Sequence, residues 1–272
     1  MLVWSRRSRW GVLTVFGALF GMILLAPLLI VVLAAFASEW NSVLPGGLTT
    51  THLQAALSAD NLASLSVSIQ TALLSGAAAV LVGTAAALSA ARLPPMLRRT
   101  VDLLFHLPVA VPSVVVGLGM LVAFSQPPVL LNGTRWIVIA SQAVLVLAFA
   151  YSTVSAALLR LDPGLAQIAG SLGARPTHVL RRVELPLLLP AIAAAASLSV
   201  ALCMGELGAT IMLYPASWRT LPISIFGLSD RGDTFLASAD TLVLLLGTYL
   251  LLTVISGAGR VRIPRLSHRS RH

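Results

Sequence analysis

Lysine is missing from this sequence of 272 residues, so all 18 of its strongly basic residues are arginine. A P-loop needs a lysine that reaches the β- and γ-phosphates of a bound nucleotide. The sequence therefore excludes a Walker-type nucleotide site, and any ATP chemistry must belong to a partner. Cysteine occurs once, at Cys203, which excludes an intramolecular disulfide and every metal motif built from several cysteines. We accordingly expect no cofactor and no bound metal.

Charged residues of either sign are also scarce. They make up 10% of the chain, whereas a soluble domain carries about a quarter. Hydrophobic residues make up 57%, and the mean hydropathy is +0.93, so the composition indicates an integral membrane protein. A net charge of +9 in a soluble protein would suggest a nucleic-acid surface. Here the arginines flank long apolar runs, so we expect membrane lipid and no nucleic acid as a partner.

Long apolar runs predict the membrane spans. A helix needs about 20 such residues to cross roughly 30 Å of hydrocarbon, and six runs are long enough. The first run ends in an A-x-A pattern, as a signal peptide would, but it is much longer than the apolar core of a signal peptide, so we expect it to remain as a helix. We predict an all-α membrane domain over residues 11–257 with six transmembrane helices. The runs cover residues 11–36, 66–91, 103–124, 136–159, 187–213 and 237–257.

The arginines also predict the orientation of these spans. With six spans, 15 of the 18 arginines fall on the side that holds both termini, and Arg135, Arg219 and Arg231 fall on the other. Short cytoplasmic flanks carry the excess of basic residues. We therefore predict that both termini are cytoplasmic, with residues 1–10 as a cytoplasmic N-terminal segment and residues 258–272 as a basic cytoplasmic tail.

The second run carries a stripe of small residues. Ser75, Ala79, Gly83 and Ala87, followed by Ala91, recur every four residues and so share one helix face. Small side chains let two membrane helices approach closely. We expect this helix to be buried among the others.

The connection between the fourth and fifth runs, residues 160–186, has a pattern of helix starts and stops. Asp162 can cap a helix that begins at Pro163, and Gly173 can end that helix in a left-handed conformation. Pro176 can begin a second short helix, which must stop or kink at Pro186. The pattern predicts a compact helix–turn–helix between two membrane helices.

The connection carries the stretches Q-I-A-G-S-L-G at 167–173 and V-E-L-P at 183–186, which are separated by nine residues. In these residues and this spacing it resembles the EAA loop, E-A-A-x3-G-x9-I-x-L-P, of permease subunits in type I ABC importers. Residues 107–113 and 205–210 are similar to the sulfate, molybdate, thiamine, ferric-iron and phosphonate branch of these permeases, and the likeness covers residues 60–257. Gln167 stands where that family has glutamate, and Ile168 where it has alanine. Carried over by position, the ATPase-coupling residues are Gln167, Ala169, Gly173, Arg175, Leu185 and Pro186.

The resemblance implies a non-enzymatic subunit that forms half of a translocation pathway in a bacterial inner membrane. Its implied partners are a second permease, homologous or identical, two cytoplasmic ATPases and an extracytoplasmic solute-binding protein. In such importers the loop, which we call the coupling loop (residues 160–186), fits into a cleft on the ATPase. Residues 40–41 and 44–49 look most like 2-aminoethylphosphonate permeases, which implies a phosphonate cargo. Sulfate, thiamine, ferric iron and polyamines stay open as alternatives.

Glu206 is the polar outlier of the fifth run. An ionisable residue inside a membrane costs about 3 kcal/mol and therefore tends to face the bundle interior or a wet path. On a continuous helix Ser199, Cys203, Glu206 and Thr210 would share one face, which makes them candidates for the lining of the pathway. Alternatively, Glu206 forms a buried hydrogen bond to Gln142 of the fourth run.

An alternative from another class is an ion-coupled secondary carrier that uses Glu206 as its proton site. Six spans show no inverted repeat with paired broken helices, and a carrier leaves the coupling loop unexplained. Enzyme motifs are lacking, since no strand-borne nucleophile elbow and no H-E-x-x-H occur. Asp102 and His106, four residues apart, are expected to form a local surface pair.

Overall fold

The computed structural model describes residues 6–42 and 45–260, and these residues are mostly helical. Five helices are long and apolar enough to cross a membrane, and a bent helix pair would make a sixth span. The helices, in chain order, are α1 Arg6–Phe36, α2 Thr51–Ala56, α3 Ala59–Ala90, α4 Pro95–Ala110, α5 Ser113–Ala123, α6 Arg135–Leu158, α7 Pro163–Ser171, α8 Pro176–Val179, α9 Leu185–Met204, α10 Thr210–Leu213, α11 Leu221–Asp230 and α12 Thr234–Arg260.

The described residues divide into two compact units, one built from residues 6–42, 45–63 and 224–245 and the other from residues 64–223 and 246–260. Within the described part of the first unit, strands β1 Ala37–Glu39 and β2 Gly46–Leu48 pair antiparallel, with Ala37 opposite Leu48. The amide Nδ2 of Asn61 donates to Oδ1 of the buried Asp240 at 2.9 Å. The basic tail beyond residue 260, together with residues 1–5, lies outside the described residues.

In the second unit, α3 packs through the small residues predicted for it. Ser75, Ala79, Gly83 and Ala87 are all buried. The hydroxyl of Ser75 donates to the carbonyl of Ile139 in α6 at 2.9 Å. A Cβ added to Gly83 would lie 2.8 Å from the backbone nitrogen of Tyr151, also in α6. The predicted close packing of the small-residue face is confirmed up to Ala87, whereas Ala91 lies beyond the helix and is exposed. The helix as a whole is half-buried, since Leu81 on its other face is 71% exposed.

The third predicted span, residues 103–124, is wrong as a single helix. The chain forms α4 and α5 instead, and their axes differ by 102°. Pro112 explains the break, because a residue that precedes proline is pushed out of the helical region. Val111 accordingly has φ −105° and ψ 130°, and α5 restarts at Ser113.

The fifth predicted span, residues 187–213, differs at both ends. Its helix ends at Met204, and after a non-helical stretch the short α10 follows. At the other end the helix does not stop at Pro186, since α8 continues through a π-helical turn, Leu180–Glu184, into α9. In that turn the N–H of Leu185 donates to the carbonyl of Leu180, five residues back. This wider turn directly precedes Pro186 and accommodates its ring within the first turn of α9.

Candidate coupling loop and pathway residues

The first half of the coupling loop is built as its sequence predicts. Oδ1 of Asp162 accepts the N–H of Gly164 at 2.8 Å and so caps α7, with Pro163 at its first position. Gly173 has φ +82°, a conformation that costs other residues about 1–2 kcal/mol. Beside it, the N–H of Ala174 donates to the carbonyl of Ala169 at 3.1 Å. The prediction that Asp162 begins this helix and Gly173 ends it is confirmed.

The second half of the loop presents a cluster of basic side chains. Pro176 begins α8, and the carbonyl of Arg175 accepts the N–H groups of His178 and Val179 at 2.8 and 3.0 Å. An open cleft of about 720 Å³ runs from the end of α7 along α8. Arg175, Arg181 and Arg182 all line it and are exposed. Three guanidinium groups around one cleft give it a positive potential that would attract an acidic surface.

The six predicted coupling residues divide between two places. Gln167, Ala169, Gly173 and Arg175 lie on α7 and the turn that follows it, whereas Leu185 and Pro186 lie beyond the π-helical turn. Two apolar side chains beside Gln167, Ala169 and Gly173 are exposed to solvent, Ile168 at 62% and Leu172 at 83%. Exposed apolar residues beside a basic cleft are typical of a surface that a partner covers.

An ion pair that the sequence analysis missed joins this region to α3. Nη2 of Arg92 lies 3.2 Å from Oε2 of Glu184. Arg92 follows the end of α3, and Glu184 is the last residue of the π-helical turn. One sequence signal could have pointed to it, because Glu184 is the single acidic residue between Arg175 and Pro186.

The four candidate pathway residues do not share one continuous helix face. Ser199 and Cys203 are buried in α9. Because this helix ends at Met204, Glu206 lies in the non-helical stretch and Thr210 begins α10. The one-face geometry expected for the four is therefore wrong, and the reason is the helix break.

The carboxylate of Glu206 accepts hydrogen bonds from residues within that helix break. It accepts the N–H of Ala209 at 2.7 Å, the N–H of Thr210 at 3.0 Å and the hydroxyl of Thr210. A carboxylate at this place satisfies N–H groups that a helix start leaves without partners. Nε2 of Gln142 donates to the same hydroxyl oxygen of Thr210 at 2.9 Å. The expected bond from Glu206 to Gln142 is thus replaced by a chain of bonds through Thr210.

The two helix breaks pack against each other. A Cβ added to Gly117 in α5 would lie 2.8 Å from the backbone of Ala209, and one added to Gly208 would collide with the side chain of Ser113. A cavity of about 240 Å³ opens beside them, and Glu206 and Ser113 both line it. Glycine at these positions permits the close backbone approach.

Asp102 and His106 meet locally as expected, but through the main chain of Asp102, since Nδ1 of His106 lies 2.6 Å from the carbonyl oxygen of Asp102. Both side chains also contact α6. The carboxylate of Asp102 accepts the hydroxyl of the buried Tyr151 in α6. Nε2 of His106 lies 2.8 Å from the hydroxyl oxygen of Ser152, also in α6. The ring of Phe105 stacks on that of Tyr151, with 4.6 Å between centroids. These side chains fasten α4 to α6, a contact between distant parts of the sequence that a four-residue spacing does not reveal.

Comparisons with known proteins agree with this architecture. Residues 79–268 match the family described as binding-protein-dependent transport system inner membrane component. A relative from Salmonella typhimurium strain LT2, assigned by name to 2-aminoethylphosphonate transport as permease protein PhnV, is 42% identical over 93% of this chain and 95% of its own length. The molybdenum transport system permease protein YvgM of Bacillus subtilis, again by assigned name, is 27% identical over 70% of this chain and 89% of its own length.

Solved structures show the same fold at low sequence identity. A bacterial ABC transporter involved in the import of the acidic polysaccharide alginate matches with a TM-score of 0.74 and 17% identity, over 95% of this chain and 98% of that one. The MetNI methionine ABC transporter, in an inward-facing conformation, matches with a TM-score of 0.58 and 20% identity, over 75% of this chain and 96% of that one. The chain therefore belongs to the family of binding-protein-dependent transport system inner membrane components and is a multi-pass protein of the inner membrane.

Proposed function

We propose that this chain is a permease subunit of an ATP-driven importer whose cargo is 2-aminoethylphosphonate or a close phosphonate relative. The observation that carries the substrate is the identity of 42% over 93% of the chain with the Salmonella permease PhnV. The molybdenum permease YvgM is more distant, at 27% over 70% of the chain. A phosphonate cargo is therefore favoured over the oxyanion alternatives.

The partners follow from the family. The chain forms half of the pathway with a second permease, homologous or identical, and works with two cytoplasmic ATPases and an extracytoplasmic solute-binding protein. One of the similar structures is a complex with a periplasmic protein bound to an alginate pentasaccharide, which supports the last of these. Both termini and the coupling loop are cytoplasmic in this proposal, in accordance with the distribution of arginine.

The coupling loop would bind the ATPase through the exposed surface of α7 and the basic cleft beside it. Two properties support this role. Asp162 and Gly173 fix the ends of α7, so the helix can move as a rigid element. Arg175, Arg181 and Arg182 supply the positive charge for an acidic partner surface. Gln167 can donate and accept hydrogen bonds there but cannot form the ion pair that a glutamate would.

A secondary carrier that uses Glu206 as its proton site is less well supported. The carboxylate of Glu206 already accepts two N–H groups and a hydroxyl within its own turn. Both carboxylate oxygens are thus engaged at the start of α10, whereas a carrier site needs a carboxyl group that can exchange a proton along the transport path. The geometry favours a structural role for Glu206 at the edge of the pathway.

Growth on a single phosphorus source tests the proposed function. A strain that lacks this gene should fail to grow on 2-aminoethylphosphonate and should grow normally on inorganic phosphate, and a plasmid copy should restore growth. Unchanged growth of the deletion strain on the phosphonate would contradict the proposed cargo. Loss of sulfate, thiamine, iron or polyamine uptake in its place would identify which alternative is correct.

A further inference from the structure

The ion pair between Arg92 and Glu184 connects two elements that are distant in the sequence. Arg92 is anchored just beyond α3, where its backbone N–H donates to the carbonyl of Ser89 at 3.1 Å. Its Nη2 reaches Oε2 of Glu184 at 3.2 Å, across 92 residues of sequence. The side chain of Glu184 is 22% exposed and that of Arg92 58%. The carboxylate of Glu184 is thus mostly buried between α8 and α9, and the more exposed guanidinium of Arg92 approaches it from the solvent side.

Glu184 belongs to the turn through which the coupling loop enters the membrane. The π-helical turn Leu180–Glu184 separates α8 from α9, so any movement of α8 must cross it to reach the fifth span. Turns of this kind are wider than an α-helical turn and recur at functional sites. A partner of Glu184 therefore shares directly in the movement of this turn.

A cavity lies where the two elements meet. It measures about 360 Å³ and is bounded by the ends of α3 and α6, by α7 and by the π-helical turn. Arg92, Glu184 and Gln167 are among its lining residues. Close-packed interiors transmit displacement, whereas a cavity allows one wall to move without the other. An ion pair along the wall of this cavity can hold α3 to the turn where packing cannot.

We infer that Arg92 and Glu184 form a positioning link that transmits movement of the coupling loop to α3, in parallel with the covalent path into α9. This inference rests on the proposed function, because it assigns the pair a part in ATP-driven movement. The link acts by keeping the end of α3 at a fixed distance from the π-helical turn. It touches neither nucleotide nor cargo.

Charge reversal and charge exchange test the link in the complete complex, purified through a tag on this chain and reconstituted with its binding protein. Arg92→Glu and Glu184→Arg each place like charges together, and the double variant Arg92→Glu/Glu184→Arg restores an opposite pair. Arg99→Glu, at an exposed position of α4, is the matched control for the loss of positive charge. The measurement is the number of ATP molecules hydrolysed per phosphonate imported, at equal amounts of complex.

Each single reversal should raise this ratio about two- to fivefold. Loss of an exposed ion pair shifts the equilibrium between two conformations by up to about that factor, and a weaker link lets more hydrolysis events pass without import. The double variant should return towards the wild-type ratio, and Arg99→Glu should match the wild type. If the single variants keep the wild-type ratio and differ in abundance alone, the pair only stabilises the fold and the inference is wrong. Failure of the exchange to restore the ratio would also overturn it. Uptake by the wild-type complex without ATP would instead contradict the proposed function.

Discussion

Replacing Gly83 by alanine tests the contact between α3 and α6 with a single added atom. The new Cβ would lie 2.8 Å from the backbone nitrogen of Tyr151 and 3.1 Å from Cβ of Ala150. Ordinary van der Waals contact begins at 3.4 Å, so the two helices must separate by about 0.6 Å at this point. The neighbouring atoms are main chain and a methyl group, so no side-chain rotation can relieve the clash.

The expected loss of stability follows from two opposing effects. Added atoms in a well-packed interior cost about 1–3 kcal/mol, and alanine in the middle of a helix is about 0.5–1 kcal/mol better than glycine. We therefore expect Gly83→Ala to lower the free energy of unfolding by roughly 1 kcal/mol, within the range of about 0–2.5 kcal/mol that the two effects allow, measured as a lower midpoint of thermal unfolding in detergent. The matched control is Gly119→Ala, since a Cβ at Gly119 meets nothing within 4 Å.

The control should unfold at or slightly above the wild-type temperature. A Gly83→Ala protein that is as stable as the Gly119→Ala protein would refute the close packing of α3 against α6. A loss of stability in both variants would show that glycine itself, and not the contact, is required.

Three further predictions concern the coupling loop, the orientation and the helix break. Gly173→Asp should reduce uptake while membrane insertion and abundance persist, because Gly173 has φ +82° and aspartate adds a negative charge to the surface proposed to bind the ATPase. Unchanged uptake and ATPase activity would show that the loop has no part in coupling. In a variant without the native cysteine, Thr50→Cys should react with an impermeant thiol reagent in intact cells and Arg175→Cys should not, and the reverse result would overturn the orientation. Glu206→Gln keeps one accepting oxygen and should retain substantial uptake. Glu206→Leu should be more damaging, because it leaves the N–H groups of Ala209 and Thr210 without an acceptor, which costs about 1–3 kcal/mol of stability. Equal uptake by the Gln and Leu variants, at equal abundance, would contradict the capping role.

Features that depend on local chemistry could be predicted from the sequence. The first, second, fourth and sixth apolar runs correspond to α1, α3, α6 and α12. Their C-terminal ends agree with the helices to within three residues, and their N-terminal ends to within seven. Asp162, Pro163 and Gly173 act through their own backbone and their nearest neighbours, so their effect on α7 does not depend on the rest of the fold. The stripe around Gly83 could be recognised because helix periodicity alone places its members on one face.

Breaks within apolar runs were harder to predict. Hydropathy is continuous across Pro112 and Gly205, and proline and glycine both occur inside intact membrane helices. Pro190 lies within α9, for example, and does not end it. Whether a helix breaks depends on partners elsewhere in the chain, such as the packing of Gly117 against Ala209. Single-sequence reasoning does not supply those partners.

The polar contacts of the site were missed for the same reason. Arg92 bonds to Glu184 across 92 residues, and Asp102 bonds to Tyr151 across 49. Each residue alone looks like an ordinary charge near the end of a helix. Their roles become visible once the packing of the helices brings the partners together.

Uptake by proteoliposomes tests the central claim most directly. The complex that contains this chain would be reconstituted with ATP enclosed, and labelled 2-aminoethylphosphonate would be added outside together with the binding protein. The account predicts accumulation that requires both ATP hydrolysis and the binding protein and that persists when a protonophore collapses the ion gradients. Accumulation without ATP that the protonophore abolishes would contradict it.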